Sequence, residues 1–222
     1  MNTFKGAAVV LALVAGVSVL PVGAEDNRLS IHDNTDVQSL LENPTAIDWE
    51  VDTSPDPPAT TAALGDMHAV YPVRAHDFWQ VVRDYNNYTD FAPRVEQSRA
   101  DRVGDDPPRF EHRLELSFRV LGFGADYEYY LDVVEPALED GEFAMTYELS
   151  RSLDGKLHDV TGSWYISEIQ VDGEPHTYAR YVNRIYFAED QFGMRMALRS
   201  LGRRDLINTM NAMYEETRSR GG

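Results

Sequence analysis

From residue 110 to residue 120 the chain alternates without a break. Phe110, His112, Leu114, Leu116, Phe118 and Val120 fall on one side, and Glu111, Arg113, Glu115, Ser117 and Arg119 on the other. A period of two, with one apolar and one charged face, is an antiparallel strand buried on one side only. The pattern then repeats. Tyr127, Tyr129, Leu131 and Val133 alternate with Asp126, Glu128, Tyr130 and Asp132. Phe143, Met145, Tyr147 and Leu149 form a third set, and Val160, Trp164 and Ile166 a fourth. Thr177, Ala179, Tyr181, Asn183, Ile185 and Phe187 complete the series. Between these runs stand Gly104-Asp105-Asp106, Gly122-Phe123-Gly124, Asp140-Gly141, Asp154-Gly155 and Asp172-Gly173, residues that tolerate the positive φ of hairpin turns. With further strands over 62–71 and 95–103, the text predicts a meander of about seven strands.

Two stretches follow a helical period instead. Arg74-Ala75-His76-Asp77 leads into Phe78, Trp79, Val81 and Val82, which predicts a short helix. After the turn-like Asn86-Asn87-Tyr88, residues 89–92 form a second brief helix closed by Pro93. Near the C-terminus, Leu206, Met210, Met213 and Tyr214 recur at three- and four-residue spacing. Met194, Ala197, Leu198 and Leu201 make a second apolar stripe on nearly the opposite side of the same helix. The stripes meet at Gly202, which predicts a kink or a change of packing partner there. The fold class is therefore α+β, with a long terminal helix.

The N-terminus reads as an export signal. Lys5 supplies the positive charge, residues 7–20 the apolar stretch, and Val22-Gly23-Ala24 the small-residue cleavage site, with the cut after Ala24. An uncleaved anchor is the alternative. No later stretch is long and apolar enough to cross a bilayer, which needs about 20 such residues. Residues 25–61 are acidic and interrupted by Pro44, Pro55, Pro57 and Pro58; residues 36–42 read as one short helix with Val37, Leu40 and Leu41 on one side, and the rest as a largely disordered tether, with an arm anchored by Trp49 as the other possibility. The domain proper spans 62–222. A periplasmic or secreted location follows from the signal.

The charge balance narrows the partners. Lys and Arg total 20 against 37 Asp and Glu, a formal net charge of -17 that repels phosphate backbones, so nucleic acid is excluded as a main partner. The chain has no Cys, which removes disulfides, thiolate nucleophiles and cysteinyl metal sites together. The six histidines show no paired metal-binding spacing, and the Asp-Gly pairs lack the flanking ligands of a calcium loop. No nucleophile-elbow pattern surrounds Ser117, Thr161 or Ser163. Neither a metal nor another cofactor is expected, and a protein partner is not specified by the sequence.

Residues 73–95, from Val73 through Trp79, Asp84, Tyr88, Phe91 and Pro93 to Val95, carry an Ala-containing turn, a Val/Trp-rich helix and an Asp-x-x-x-Tyr-x-x-Phe-x-Pro run. This text resembles the opening of START-like (SRPBCC) domains, closest to the branch of coenzyme Q-binding and polyketide cyclase/dehydrase-like proteins. Gly162-x-Trp164 is similar to that family's later strands. The resemblance covers about residues 62–218 and implies a helix-grip fold: a curved antiparallel sheet wrapped around the C-terminal helix, with two short helices after the first strand. It also implies an apolar cavity between sheet and helix. The ligand-binding candidates are Phe91, His112, Leu114, Phe118, Tyr127, Tyr129, Met145, Tyr147, Trp164 and Tyr181, faced by Leu206, Met210 and Met213.

Each of these side chains also serves as ordinary core. His112 is the sharpest of them, a histidine on the apolar face between Phe110 and Leu114. It reads as a hydrogen-bonded core group, a ligand contact or a general acid/base. Arg199, Arg203 and Arg204 form a solvated face, or meet an anionic head group at the pocket mouth. The expected function is binding of a hydrophobic small molecule or lipid (a quinone, a sterol-like molecule or an acyl lipid), without chemistry and with no catalytic residue assigned. The alternatives are a cyclase, aromatase or dehydratase acting on a polyketide-like substrate, and an envelope interaction domain whose pocket is filled by its own aromatics.

Overall fold

The computed structural model describes residues 28–33, 35–42, 44–53, 55, 57, 59–120, 123–189 and 194–221. Its element order is α1 (Val37–Glu42), β1 (Thr45–Asp52), β2 (Thr61–Tyr71), α2 (Ala75–Val82), a 3-10 turn (Tyr85–Asn87), α3 (Tyr88–Phe91), β3 (Val95–Asp105), β4 (Pro108–Val120), β5 (Phe123–Val134), β6 (Glu142–Ser152), β7 (Leu157–Val171), β8 (Glu174–Phe187), α4 (Met194–Ala197), a π-helical turn (Leu198–Gly202) and α5 (Arg203–Gly221). The eight strands form one antiparallel sheet in the order β1-β2-β8-β7-β6-β5-β4-β3. The meander from β3 to β8 is local in sequence, and β2 then closes against β8 along its full length, from Thr61 opposite Phe187 to Tyr71 opposite Thr177. Asp172 and Gly173 both take positive φ (53° and 84°), the geometry of a two-residue hairpin turn between β7 and β8.

The concave side is held by α2 and α5. Phe78, Trp79, Val81 and Val82 of α2 are buried, as the helical spacing requires, and Met210, Met213 and Thr217 of α5 are buried against the sheet. Tyr71 ties the two helices to β2: its ring stacks on Phe78 at 5.5 Å and on Tyr214 at 4.6 Å, and its hydroxyl donates to Asn211 Oδ1 at 3.0 Å. Aromatic stacking of this kind adds to the area that it buries.

Two expectations need correction. The sheet has eight strands rather than about seven, and the extra one, β1, lies within 25–61. That segment is not a bare tether. Trp49 and Val51 alternate with Asp48, Glu50 and Asp52, and the strand pairs with β2 from Thr45 opposite His68 to Asp52 opposite Ala62. Its proline-rich and acidic neighbours hide the alternation. Further upstream, Leu40 of α1 is buried with Val70, Tyr165, Val171 and Tyr178 on the convex side of the sheet. Central strands whose outward residues are Tyr and Val need a cover, and this segment provides it. The export signal over 1–24 lies outside the described residues. Among the described residues no helix is long and apolar enough to cross a membrane.

Candidate functional site

Between the concave face and the last helices lies a cavity of about 1070 Å³. Its walls come from β4 to β8, its roof from α4, the π-helical turn and α5, and one corner from Trp49 of β1. Two glycines set that corner. Gly65 lies against Leu206 and within 3.2 Å of the Trp49 ring, measured from where a Cβ would stand, and Gly202 is 2.5 Å from that ring on the same measure. A side chain at Gly202 would collide with the indole, and one at Gly65 with Leu206. The helix break expected at Gly202 thus falls where the indole meets the helix, in a π-helical turn, a feature that widens a helix by one residue.

A third glycine shapes the interior. A Cβ on Gly162 would overlap the Tyr147 phenol and the Val182 carbonyl, so the bare backbone of β7 leaves a slot for that ring. Tyr147 lies across the slot and its hydroxyl reaches Val182 O (3.2 Å) and Asn183 Oδ1 (3.1 Å) on β8. Tyr181 stacks on Trp164 at 4.3 Å beside it.

The polar groups form a second pattern. Ser98 Oγ donates to the Tyr85 carbonyl and lies 2.8 Å from His112 Nε2. A hydroxyl has one proton, and the carbonyl can only accept, so His112 Nε2 must donate to Ser98. An imidazolium would donate there too, but a buried site favours the neutral ring, which carries its lone pair on Nδ1. Burial supports this, holding the His112 pKa down at about 4. The Tyr85 and Tyr88 rings enclose the imidazole at 5.2 and 5.6 Å. Tyr85 donates to Glu135 (2.8 Å), which also receives Arg83 (2.9 Å), while Tyr88 donates to the Val82 carbonyl. Burial raises the pKa of Tyr85, Tyr88, Tyr129 and Tyr147, so these phenols keep their protons at neutral pH. Arg94 binds Asp205 bidentately (3.0 and 3.1 Å) with its guanidinium over Phe118 of β4, joining the start of β3 to α5.

Comparison with known proteins follows from this architecture. Neither a family model nor a curated protein matches the chain by sequence. Solved structures do match. The Zhui aromatase/cyclase from Streptomyces sp. R1128 superposes with a TM-score of 0.53 at 17% identity, covering 72% of this chain and 96% of that one. A START superfamily protein from Mycobacterium smegmatis gives 0.52 at 13%, covering 71% and 98%. A STAR-related lipid transfer protein from Xanthomonas axonopodis gives 0.53 at 12%, covering 77% and 98%. The fold is START-like.

In this START-like domain the sequence-derived candidates divide cleanly by position. His112, Leu114 and Phe118 line the cavity from β4, and Tyr127 and Tyr129 from β5. Met145, Tyr147, Trp164 and Tyr181 line it from β6 to β8, and Leu206 and Met213 from α5. Two candidates do not reach it. Met210 is wholly buried in the packed core, because it lies on the edge of the Leu206–Met213 stripe opposite Thr209, turned from the cavity. Phe91 packs edge-on against Tyr88 and beneath the Arg220 guanidinium (both 5.6 Å), since in a one-turn helix Tyr88 takes the inward position. Arg199, Arg203 and Arg204 are exposed and do not line the cavity. Sequence reasoning missed Tyr85, Tyr88, Asn183 and the Arg94–Asp205 pair as cavity groups. Tyr88 and Arg94 stood inside the quoted fold motif, where their residue types read as packing. Among the described residues no His, Asp and Glu cluster is arranged to hold a metal.

Proposed function

We propose that this chain binds a hydrophobic small molecule, of the size of a quinone, a sterol-like molecule or an acyl lipid, and carries or sequesters it outside the cytoplasm. The observation that supports this is the cavity itself: about 1070 Å³, walled by aromatic and aliphatic side chains. Ligand pockets span about 300–1,000 Å³, so this one is at the upper end. Covering apolar surface there gains about 25 cal/mol per Å², less the ordering costs of binding. An interaction domain with its pocket filled by aromatics does not fit an open space of that size. Location outside the cytoplasm rests on the first 24 residues alone.

One observation favours a second reading, a cyclase, aromatase or dehydratase. A neutral, buried histidine beside protonated phenols can pass a proton to or from an enclosed substrate. Native mass spectrometry of the mature protein, purified from its own envelope and then extracted with solvent, tests the binding reading. A reproducible adduct of a few hundred daltons is the expected result. A clean apo mass that stays unchanged after incubation with quinones, sterols and fatty acids would overturn it.

A further inference from the structure

Most of the ring and charged side chains on the cavity wall are already committed. Tyr85 and Tyr88 donate to Glu135 and to the Val82 carbonyl, Tyr147 to β8, and Arg94 and Asp205 to each other. The Tyr181 hydroxyl couples to Tyr147. Two groups stand apart. The Tyr129 side chain is 5% exposed, lines the cavity, and its hydroxyl has no hydrogen-bond partner among the described residues. His112 is 2% exposed and spends Nε2 on Ser98, which leaves the Nδ1 lone pair without a partner among the described residues. They are neighbours on one wall: Tyr129 pairs with Leu114 and His112 with Leu131, so the two lie diagonally across the β4–β5 ladder on the same face.

We propose that the guest is an electrically neutral molecule whose hydroxyl group docks on this wall, its oxygen accepting from Tyr129 and its proton donated to His112 Nδ1. The inference rests on the cavity being a small-molecule site and names the chemistry of what enters. A buried hydroxyl without a partner is costly, and native structures satisfy such groups with a ligand or an ordered water. The wall also selects against charge. The charged groups lining the cavity are Arg94, Asp205 and Arg195; the first two neutralise one another, and Arg195 sits on α4 rather than on the β4–β5 wall. A carboxylate against Tyr129 would be buried without a counter-charge and would face the imidazole lone pair. A neutral phenol or alcohol meets neither obstacle, because its proton can go to the imidazole lone pair.

Three rigid probes of one skeleton separate the possibilities: naphthalene, 2-naphthol and 2-naphthoate, titrated calorimetrically into the mature protein at neutral pH. 2-Naphthol should bind about tenfold more tightly than naphthalene, the worth of one or two buried hydrogen bonds, and 2-naphthoate should be the weakest. In Tyr129→Phe the ratio of 2-naphthol to naphthalene affinity should fall towards one, and His112→Phe should lower it too. Equal affinity for 2-naphthol and naphthalene in the wild type would overturn the inference, with water then satisfying Tyr129 as well as a ligand does. So would an unchanged ratio in Tyr129→Phe, or tightest binding of 2-naphthoate, which would place the polar end at Arg195. Should Tyr129→Phe not fold, His112→Phe still tests the same wall, and equal affinities in the wild type still overturn the inference. Failure of all three probes to bind would overturn the apolar-guest reading together with the inference, an outcome distinct from the others.

Discussion

On the concave face of the sheet, α5 crosses the strands and leaves about 1070 Å³ unfilled; on the convex face, residues 28–33 and α1 lie directly on β2, β7 and β8. Both are bound closely there. The His32 amide donates to the Tyr178 hydroxyl (3.1 Å), Leu40 is buried on Val70 and Tyr165, and Arg180 reaches the Ser30 carbonyl (3.4 Å) while holding Asp66 bidentately (3.0 and 2.7 Å). The 19-residue α5 is a stiff cylinder about 10 Å across and cannot follow a concave surface, whereas residues 28–33 and the six-residue α1 are short enough to follow a convex one. One sheet therefore presents a closed face and a hollow one. The hollow depends on rigid edges, Trp49 against two glycines and Arg94 against Asp205, more than on any single lining residue.

The largest effect should appear where the two faces are compared by truncation. Tyr178 is wholly buried on the convex side, and Tyr178→Ala should cost about 3–5 kcal/mol because the rings and chain around it have no slack. Trp164, on the concave side, already has open space on its cavity flank. Trp164→Ala should cost less than Tyr178→Ala despite removing more atoms, and should enlarge the cavity. Denaturant melts of both variants decide it. Equal or reversed costs would show that the hollow is closed in solution and that the two faces are packed alike.

Acidity offers an intermediate effect, and each face has its own histidine. His112 on the concave side and His68 on the convex side both have pKa values lowered to about 4. Burial is the main cause in each case, and for His68 the nearby His32 and Arg180 add to it against Asp66. Above about pH 6.5 both histidines are neutral in folded and unfolded chains alike, so their stability contribution is fully present. As pH falls from about 6.5 to about 4, the unfolded chain binds protons that the native one refuses, and stability is lost. Below about 4 the native state titrates as well and the loss levels off. For His112 this amounts to on the order of 3 kcal/mol. In His112→Gln and in His68→Gln the slope of stability against pH across that window should each flatten relative to wild type. An unchanged slope in either would mean that its histidine is not shielded on that face.

The sheet was legible before its coordinates because strict alternation from 110 onward leaves the backbone little choice, and the Asp-Gly pairs fix where it turns. The hollow was legible only through resemblance. Whether Tyr147 or Met210 faces empty space depends on where α5 comes to rest, which no local pattern encodes, and Met210 fell on the wrong side of that line. β1 was missed because acidic and proline neighbours outweigh the short alternation around Trp49. Tyr129 looked like its neighbours on the strand; its distinction, a hydroxyl without a partner, is created by three dimensions alone.

The smallest change probes the hollow face most directly. Gly162→Ala adds one methyl group, yet that methyl would stand where the Tyr147 phenol and the Val182 carbonyl now lie. The ring must swing away, lose Asn183 and occupy space inside the cavity. Overpacking of this kind costs about 1–3 kcal/mol, so the fold should survive with a lowered melting temperature. Guest capacity should fall more than stability does, because the displaced ring fills volume that the guest needs. The double variant Gly162→Ala with Tyr147→Phe separates the two causes. If the slot matters only for the hydroxyl contacts to β8, Tyr147→Phe by itself should reproduce the loss of binding. If it matters for volume, Tyr147→Phe should bind nearly as wild type does, and the glycine variants should stay poor with or without the hydroxyl. The second outcome is expected, since the ring carbon Cζ stands in the slot as well as the oxygen, and removing the oxygen alone would not clear it for the methyl group.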